Sequence, residues 1–256
     1  MPLTFAHPAA VVPLMRGPLV PTALVAGALA PDMPYFLRSL PIPVSAQSWW
    51  EPFLNATTTH SWPGILSVAM PLALVLFLGL AVCVRPGLWA LPTTPAPQSA
   101  ARTSKAVWWF WVGASLAIGV LSHVSWDSFT HSDGWFVENV AWMRTEAFGS
   151  LTWARLLQHL STAFGLTVIA VAAWRRRETW LVSTDTARRA RFLRVAAVLA
   201  SSAMAAMVGA VLLLRDAGDG AEHLLSDAAI GAGLGASITA AALAVLWWVV
   251  RPDRTT

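Results

Sequence analysis

AVWWFWVGASLAIGVLSHVSWDSFTH, residues 106–131, sets the reading of the whole chain. From Ala106 to Trp126 it carries no Asp, Glu, Lys or Arg, and it matches the ~20 apolar residues a helix needs to cross a bilayer. Polar groups then arrive at a fixed interval: His123, Asp127 and His131 are each four residues apart. On a helix that spacing puts side chains on one face, close enough to share an ion. If the helix persists, His131 continues the face. If it ends near Thr130, His131 can swing back as a loop ligand, and Ser132-Asp133-Gly134 looks like a stop. Nitrogen and oxygen donors of this kind suit zinc, iron or manganese. The plainer reading is a histidine at a helix end beside an incidental aspartate, but charge in an apolar span needs a partner.

Composition places the rest of the chain in the same setting. Of 256 residues, 56% are hydrophobic and 12% charged, against about 25% charged in a soluble domain. Fifteen tryptophans against one tyrosine fit indole anchors at a membrane interface. The net charge of +4 does not indicate nucleic acid, because the basic residues cluster beside apolar segments, as topology determinants do. The single cysteine, Cys83, excludes an internal disulfide. Pro2, Pro8 and Pro13 interrupt a start that lacks a basic stretch, so the N-terminus reads as retained.

Five segments are expected to span: Trp62–Val84, Ala106–Trp126, Leu151–Trp174, Val195–Leu214 and Ala228–Val250. Leu19–Ala30 is too short to cross and reads as a re-entrant or interfacial half-helix between Pro18, Pro21 and Pro31. Pro71 is expected to kink the first span. No strand-like alternation is evident. The expectation is therefore an all-α integral membrane helical bundle forming one domain over residues 1–256. Residues 1–61 make an outer N-terminal region carrying ligands, 62–174 hold spans one to three with the metal motifs, and 195–250 hold two packing spans. Arg85, Arg102 and Lys105, the run Arg175 to Arg194, and Arg251 with Arg254 hold most of the seventeen basic residues. Those stretches should be cytoplasmic, with the C-terminus.

Five of the six histidines then fall near span ends on the opposite, outer side. The expected ligand set is His7, Asp32, His60, His123, Asp127, His131 and His159. Taken alone, His60 in Thr59-His60-Ser61 reads as a solvated residue before the helix, with Ser61 or Thr59 as its cap. His7 could simply be exposed, and Pro31-Asp32 could be an ordinary turn. His159, about two turns into the third span, needs a metal or a hydrogen bond. His223 reads as a loop residue. Arg144 and Arg155 lie on the outer side, where either could meet a phosphate or an acid.

The order of these residues resembles an uncharacterised family of bacterial integral membrane proteins. The likeness rests on Met1-Pro2-Leu3-Thr4-Phe5-Ala6-His7-Pro8, on Pro31-Asp32 and on Ser122–His131, and it covers about residues 1–170. That family is similar to the predicted membrane-bound metal-dependent hydrolases. More distantly, the order is similar to zinc-dependent phospholipase C and the single-strand-specific zinc nucleases. Those enzymes close their motif with an acid four residues after the last histidine, where this chain has Ala163, and no residue here matches their N-terminal tryptophan ligand. The resemblance implies one or two zinc ions, phosphoester hydrolysis and a bacterial inner membrane.

The function expected is a membrane-embedded metal-dependent hydrolase at the outer face, acting on a lipid or lipid-linked phosphoester through a metal-activated water. Asp32 is the expected proton acceptor and Asp127 the expected bridge between ions. A metal-ion or proton transporter using the same cluster is the alternative from another class, and a purely structural metal site is a third.

Overall fold

Ser104 accepts a hydrogen bond from the Val107 amide and starts helix α6, Lys105–Thr130. Its 26 residues extend about 39 Å at 1.5 Å per residue. The computed structural model describes residues 4–38, 42–45, 47–89, 104–149 and 151–175, with Ile230, Gly231 and 233–235. Before α6 come a 3₁₀ helix, Thr4–Leu14, then α1 (Pro21–Leu29), a 3₁₀ turn Ala30–Asp32, α2 (Met33–Arg38), α3 (Ala56–His60), α4 (Trp62–Gly64) and α5 (Met70–Trp89). After it come α7 (Trp135–Asn139), a hairpin of β1 (Glu146–Phe148) and β2 (Leu151–Thr152), and α8 (Trp153–Arg175).

The expectation of helix alone is therefore corrected by one antiparallel hairpin, with Glu146 paired to Thr152 and Phe148 to Leu151. Gly149 turns it at φ 58°, a conformation that glycine adopts without strain. Strands of three and two residues are too short for alternation to register in sequence. Ser61 caps the first span as expected, accepting from the Gly64 amide at 3.2 Å. Pro71 sits just past a π-helical stretch, Ile65–Ala69. That wider turn accommodates a proline ring that would otherwise press on the carbonyl four residues back.

Three helical stretches are long and apolar enough to cross a membrane: Trp62–Ala81, Lys105–Asn139 and Trp153–Arg175. Leu66 and Val75 in the first, and Leu160 and Phe164 in α8, turn large apolar side chains outward, a surface suited to lipid. The expected fourth and fifth spans, and His223, lie outside the described residues apart from the few helical positions near Ile230. The chain divides into two units. Met1–Leu78 with Ala101–Arg177 form one, and Gly79–Ala100 with Glu178–Thr256 the other. Every residue discussed below as part of a site belongs to the first.

Within that unit, α1 lies directly on α6. Gly27 and Gly119 make this possible: a Cβ on Gly27 would meet the Leu116 carbonyl and the Gly119 Cα, and a Cβ on Gly119 would meet the Leu24 carbonyl and, at 2.7 Å, the Ala28 amide nitrogen. Small residues let helix backbones touch where lipid offers no hydrophobic drive to press them together. Ser115, one turn before Gly119, accepts the Val20 amide at 2.9 Å. His123, one turn after, bonds the Ala28 carbonyl at 2.7 Å. Ser115, Gly119, His123 and Asp127 thus form one buried stripe on α6. Gly119→Ala should force these backbones apart and destabilise the protein by about 1–3 kcal/mol. Gly113→Ala, where nothing lies within 4 Å, should be neutral or slightly stabilising; thermal unfolding in detergent checks both.

Candidate metal centre

Six of the seven expected ligands come together, delivered by three short elements and the C-terminal end of the long helix α6. His7 lies in the N-terminal 3₁₀ helix, Asp32 closes the 3₁₀ turn after α1, and His60 is the last residue of α3. His123 and Asp127 occupy the last turns of α6. That helix stops at Thr130, and His131 follows in an extended conformation (φ −93°, ψ 145°), the looped-back alternative of the two the spacing allowed. Thr59, read from sequence only as a possible cap, ties two of these elements together. Its buried hydroxyl donates to the Pro31 carbonyl at 2.7 Å, fixing the Asp32 segment against α3.

Backbone carbonyls set the tautomers of two imidazoles. His60 Nδ1 lies 2.8 Å from the Ala56 carbonyl and His123 Nδ1 lies 2.7 Å from the Ala28 carbonyl. A carbonyl only accepts, so both Nδ1 atoms carry the proton and both Nε2 atoms are left to the centre. Around that centre His123 Nε2 is 3.0 Å from Asp127 Oδ2 and 3.4 Å from Asp32 Oδ1. His60 Nε2 is 3.1 Å from Asp127 Oδ2, 3.3 Å from His123 Nε2 and 3.9 Å from Asp32 Oδ1. Donors about 2.1 Å from a shared tetrahedral ion stand roughly 3.4 Å from one another. The four donor atoms, all within 4.8 Å of each other, therefore have the spacing of a metal cage. Asp127 also turns its other oxygen away: Oδ1 is 3.5 Å from His7 Nε2 and 3.4 Å from His131 Nδ1. His7 stacks on His123 with ring centroids 3.7 Å apart.

Among the described residues, six buried side-chain atoms lack a hydrogen-bond partner, and five belong here: His7 Nε2, both oxygens of Asp32, Asp127 Oδ1 and His131 Nδ1. Each such group costs about 1–3 kcal/mol if left unmade, and their concentration at one point fits a group that could hold a metal ion. Burial, with His123 second, holds the His7 pKa down to about 4, leaving a neutral ring able to donate its lone pair.

The centre meets a cavity of about 750 Å³. His60, Asp127 and His131 reach its wall, with apolar lining from Pro63, Ile65, Leu121 and Val124. Asp32, 1% exposed, is not in that lining. Tyr35 is, and burial followed by the charges of Asp32, Asp127 and Asp133 pushes its phenol up to about 12, so it stays a neutral hydroxyl.

His159 is not brought in. It is exposed on α8, and no contact joins it to the cluster among the described residues. The buried face of that helix is Ala154, Gln158 and Gly165. Gln158, which the sequence reading passed over, is 1% exposed, accepts from Arg155 Nη1 at 3.1 Å, and supplies the sixth unpartnered atom, Nε2. Arg144 is exposed, and neither it nor Arg155 lines the cavity. The signal for Gln158 was present as a polar residue in an apolar span, but nothing local distinguished it from its neighbour.

A protein-family model described as a domain of unknown function (DUF4184) matches residues 1–246. No curated protein and no solved structure matches the chain. Thr59→Val should remove the tie to Pro31 and loosen Asp32. The expected result, read by competition with a chelator, is metal affinity lower by roughly 10–100-fold, the usual effect of losing a group that orients ligands.

Proposed function

The chain belongs to that family of unknown function, and we propose that it is a membrane-embedded metal-dependent hydrolase of lipid-linked phosphoesters. The observation that carries this reading is the position of Asp127 at the cavity wall, one oxygen toward His60 and His123 and the other toward His7 and His131. Such a carboxylate can bridge two ions. Asp32, His60, His123 and Asp127 would hold the first, and Asp127, His7 and His131 the second. Zinc suits both sets of nitrogen and oxygen donors. Three protein ligands at the second position leave room for water or substrate, as catalytic sites do.

When bound, ions of this kind lower the pKa of water and offset the charge of a phosphoryl group in transfer. The chain's own residues do the rest. Ala28 and Ala56 hold the imidazole tautomers, and His7 stays neutral by burial. Tyr35 can donate its hydroxyl to a phosphoryl or leaving-group oxygen in the cavity. Asp32 is better placed to hold an ion than to accept a proton, because it is enclosed behind the cavity wall. Apolar lining from the ends of two spans gives acyl chains a surface, which favours a lipid substrate. The distribution of lysine and arginine supports an outer-face position for this end of the helices with the C-terminus cytoplasmic, and the resemblance noted from sequence supports a bacterial inner membrane.

Elemental analysis of protein purified in detergent should find one or two zinc ions per chain, with phosphate or phosphoalcohol released from lipid only in the metal-loaded state. Asp127→Ala should lower bound metal to background and turnover by at least roughly 100-fold, while His159→Ala should change neither. Full metal occupancy in Asp127→Ala removes Asp127 from the ligand set. Ion flux in proteoliposomes without lipid hydrolysis would favour the transporter instead.

A further inference from the structure

The cavity is one-sided in charge. Asp133 and Glu138 stand exposed on its lining, Asp127 lies at its inner wall, and no lysine or arginine lines it among the described residues. Four aromatic rings share that lining: Tyr35, Trp62, Trp135 and Phe136. Trp62 and Trp135 are 79% and 63% exposed, so their faces are open to a ligand. Phe136 is fixed by stacking on Phe129 at 3.8 Å, and Trp135 stands edge-on to it at 4.9 Å. A second, independent feature points to a ligand. Asp127 is 4% exposed; its Oδ2 faces His60 at 3.1 Å while its Oδ1 has no hydrogen-bond partner, so the cavity ends on a carboxylate with one unsatisfied oxygen.

Aromatic faces attract cations through their quadrupoles, above all quaternary ammonium groups. Carboxylates beside the rings add charge attraction and repel an anion. We propose that the mouth of this cavity binds the cationic head group of an amphiphile, an alkylammonium or quaternary ammonium, between Trp62, Trp135 and the carboxylates of Asp133 and Glu138. The apolar part of the ligand then runs along Pro63, Ile65, Leu121 and Val124. A phosphate on the same ligand finds no basic side chain in the lining, and ions held at Asp127 are the charge available to it. This deepens the hydrolase reading and rests on it for the phosphoester, whereas the head-group chemistry rests on the mouth alone.

The test uses the full-length chain in maltoside detergent, loaded with zinc chloride. Calorimetric titration with dihexanoyl phosphatidylcholine and dihexanoyl phosphatidylglycerol, each below its critical micelle concentration, gives two dissociation constants. The choline lipid should bind roughly tenfold more tightly, about 1.4 kcal/mol. Asp133→Asn with Glu138→Gln should bring the ratio near one at unchanged metal content, and Trp135→Leu alone should reduce it. Binding of neither lipid, equal or tighter binding of the glycerol lipid, or a preference that survives in all these variants overturns the proposal. Hydrolysis is read in the same samples. A choline preference without hydrolysis supports the head-group site and removes the hydrolase, while hydrolysis of both lipids at equal kcat/KM does the reverse.

Discussion

Two carboxylates enclosed among four imidazoles are the constraint on which the first unit depends. Asp32 and Asp127 are 1% and 4% exposed, and three of their four oxygens have no hydrogen-bond partner. Buried negative charge is tolerated only where something positive answers it. Among the described residues no lysine or arginine pairs with these oxygens, and the groups turned toward them are imidazole nitrogens, donors that serve a cation better than they replace one. The Ala30–Asp32 turn, α3 and α6 all bring their ends to this point, and the N-terminal 3₁₀ helix passes it at His7.

Holding it in place falls to backbone. The Gly27–Gly119 contact lets α1 approach α6 closely enough for the Ala28 carbonyl to fix His123. The Ala56 carbonyl does the same for His60 from within its own helix, and Thr59 joins that helix to Pro31. Ala28 and Thr59 stay out of the cavity lining, yet together with Ala56 they decide which ring nitrogens of His60 and His123 turn to the centre. A carbonyl cannot rotate away from its helix, so an imidazole it holds is oriented more firmly than one left to solvent.

The local part of this arrangement was legible in residue order. His123, Asp127 and His131 announce themselves by the four-residue interval, and Ser132-Asp133-Gly134 by its power to stop a helix. His7, Asp32 and His60 were each weak alone and gained weight from falling on one side of the charge-derived topology. His159 shows where that reasoning runs out. One residue along a helix is a rotation of about 100°, and α8 carries polar groups at the neighbouring positions 158 and 159. Packing of Gly165 against Ala6 selects the face that holds Gln158, and His159 is turned outward. Arg144 and Arg155 were placed on the expected side of the chain but not in the cavity, because membership of a side says nothing about direction.

Sequence alone determined that this chain is built of long apolar helices with costly polar groups at their ends, since hydrophobic length and ligand spacing are local properties of the chain. It also determined which residue types could serve a cation. Tertiary structure decided which of them meet, because approach between segments far apart in sequence depends on where glycine permits contact and which carbonyls lie opposite. It decided too that the space beside the cluster is walled by aromatic rings and carboxylates with no lysine or arginine among the described residues, a property of surfaces brought together by folding and carried by no single stretch of the chain.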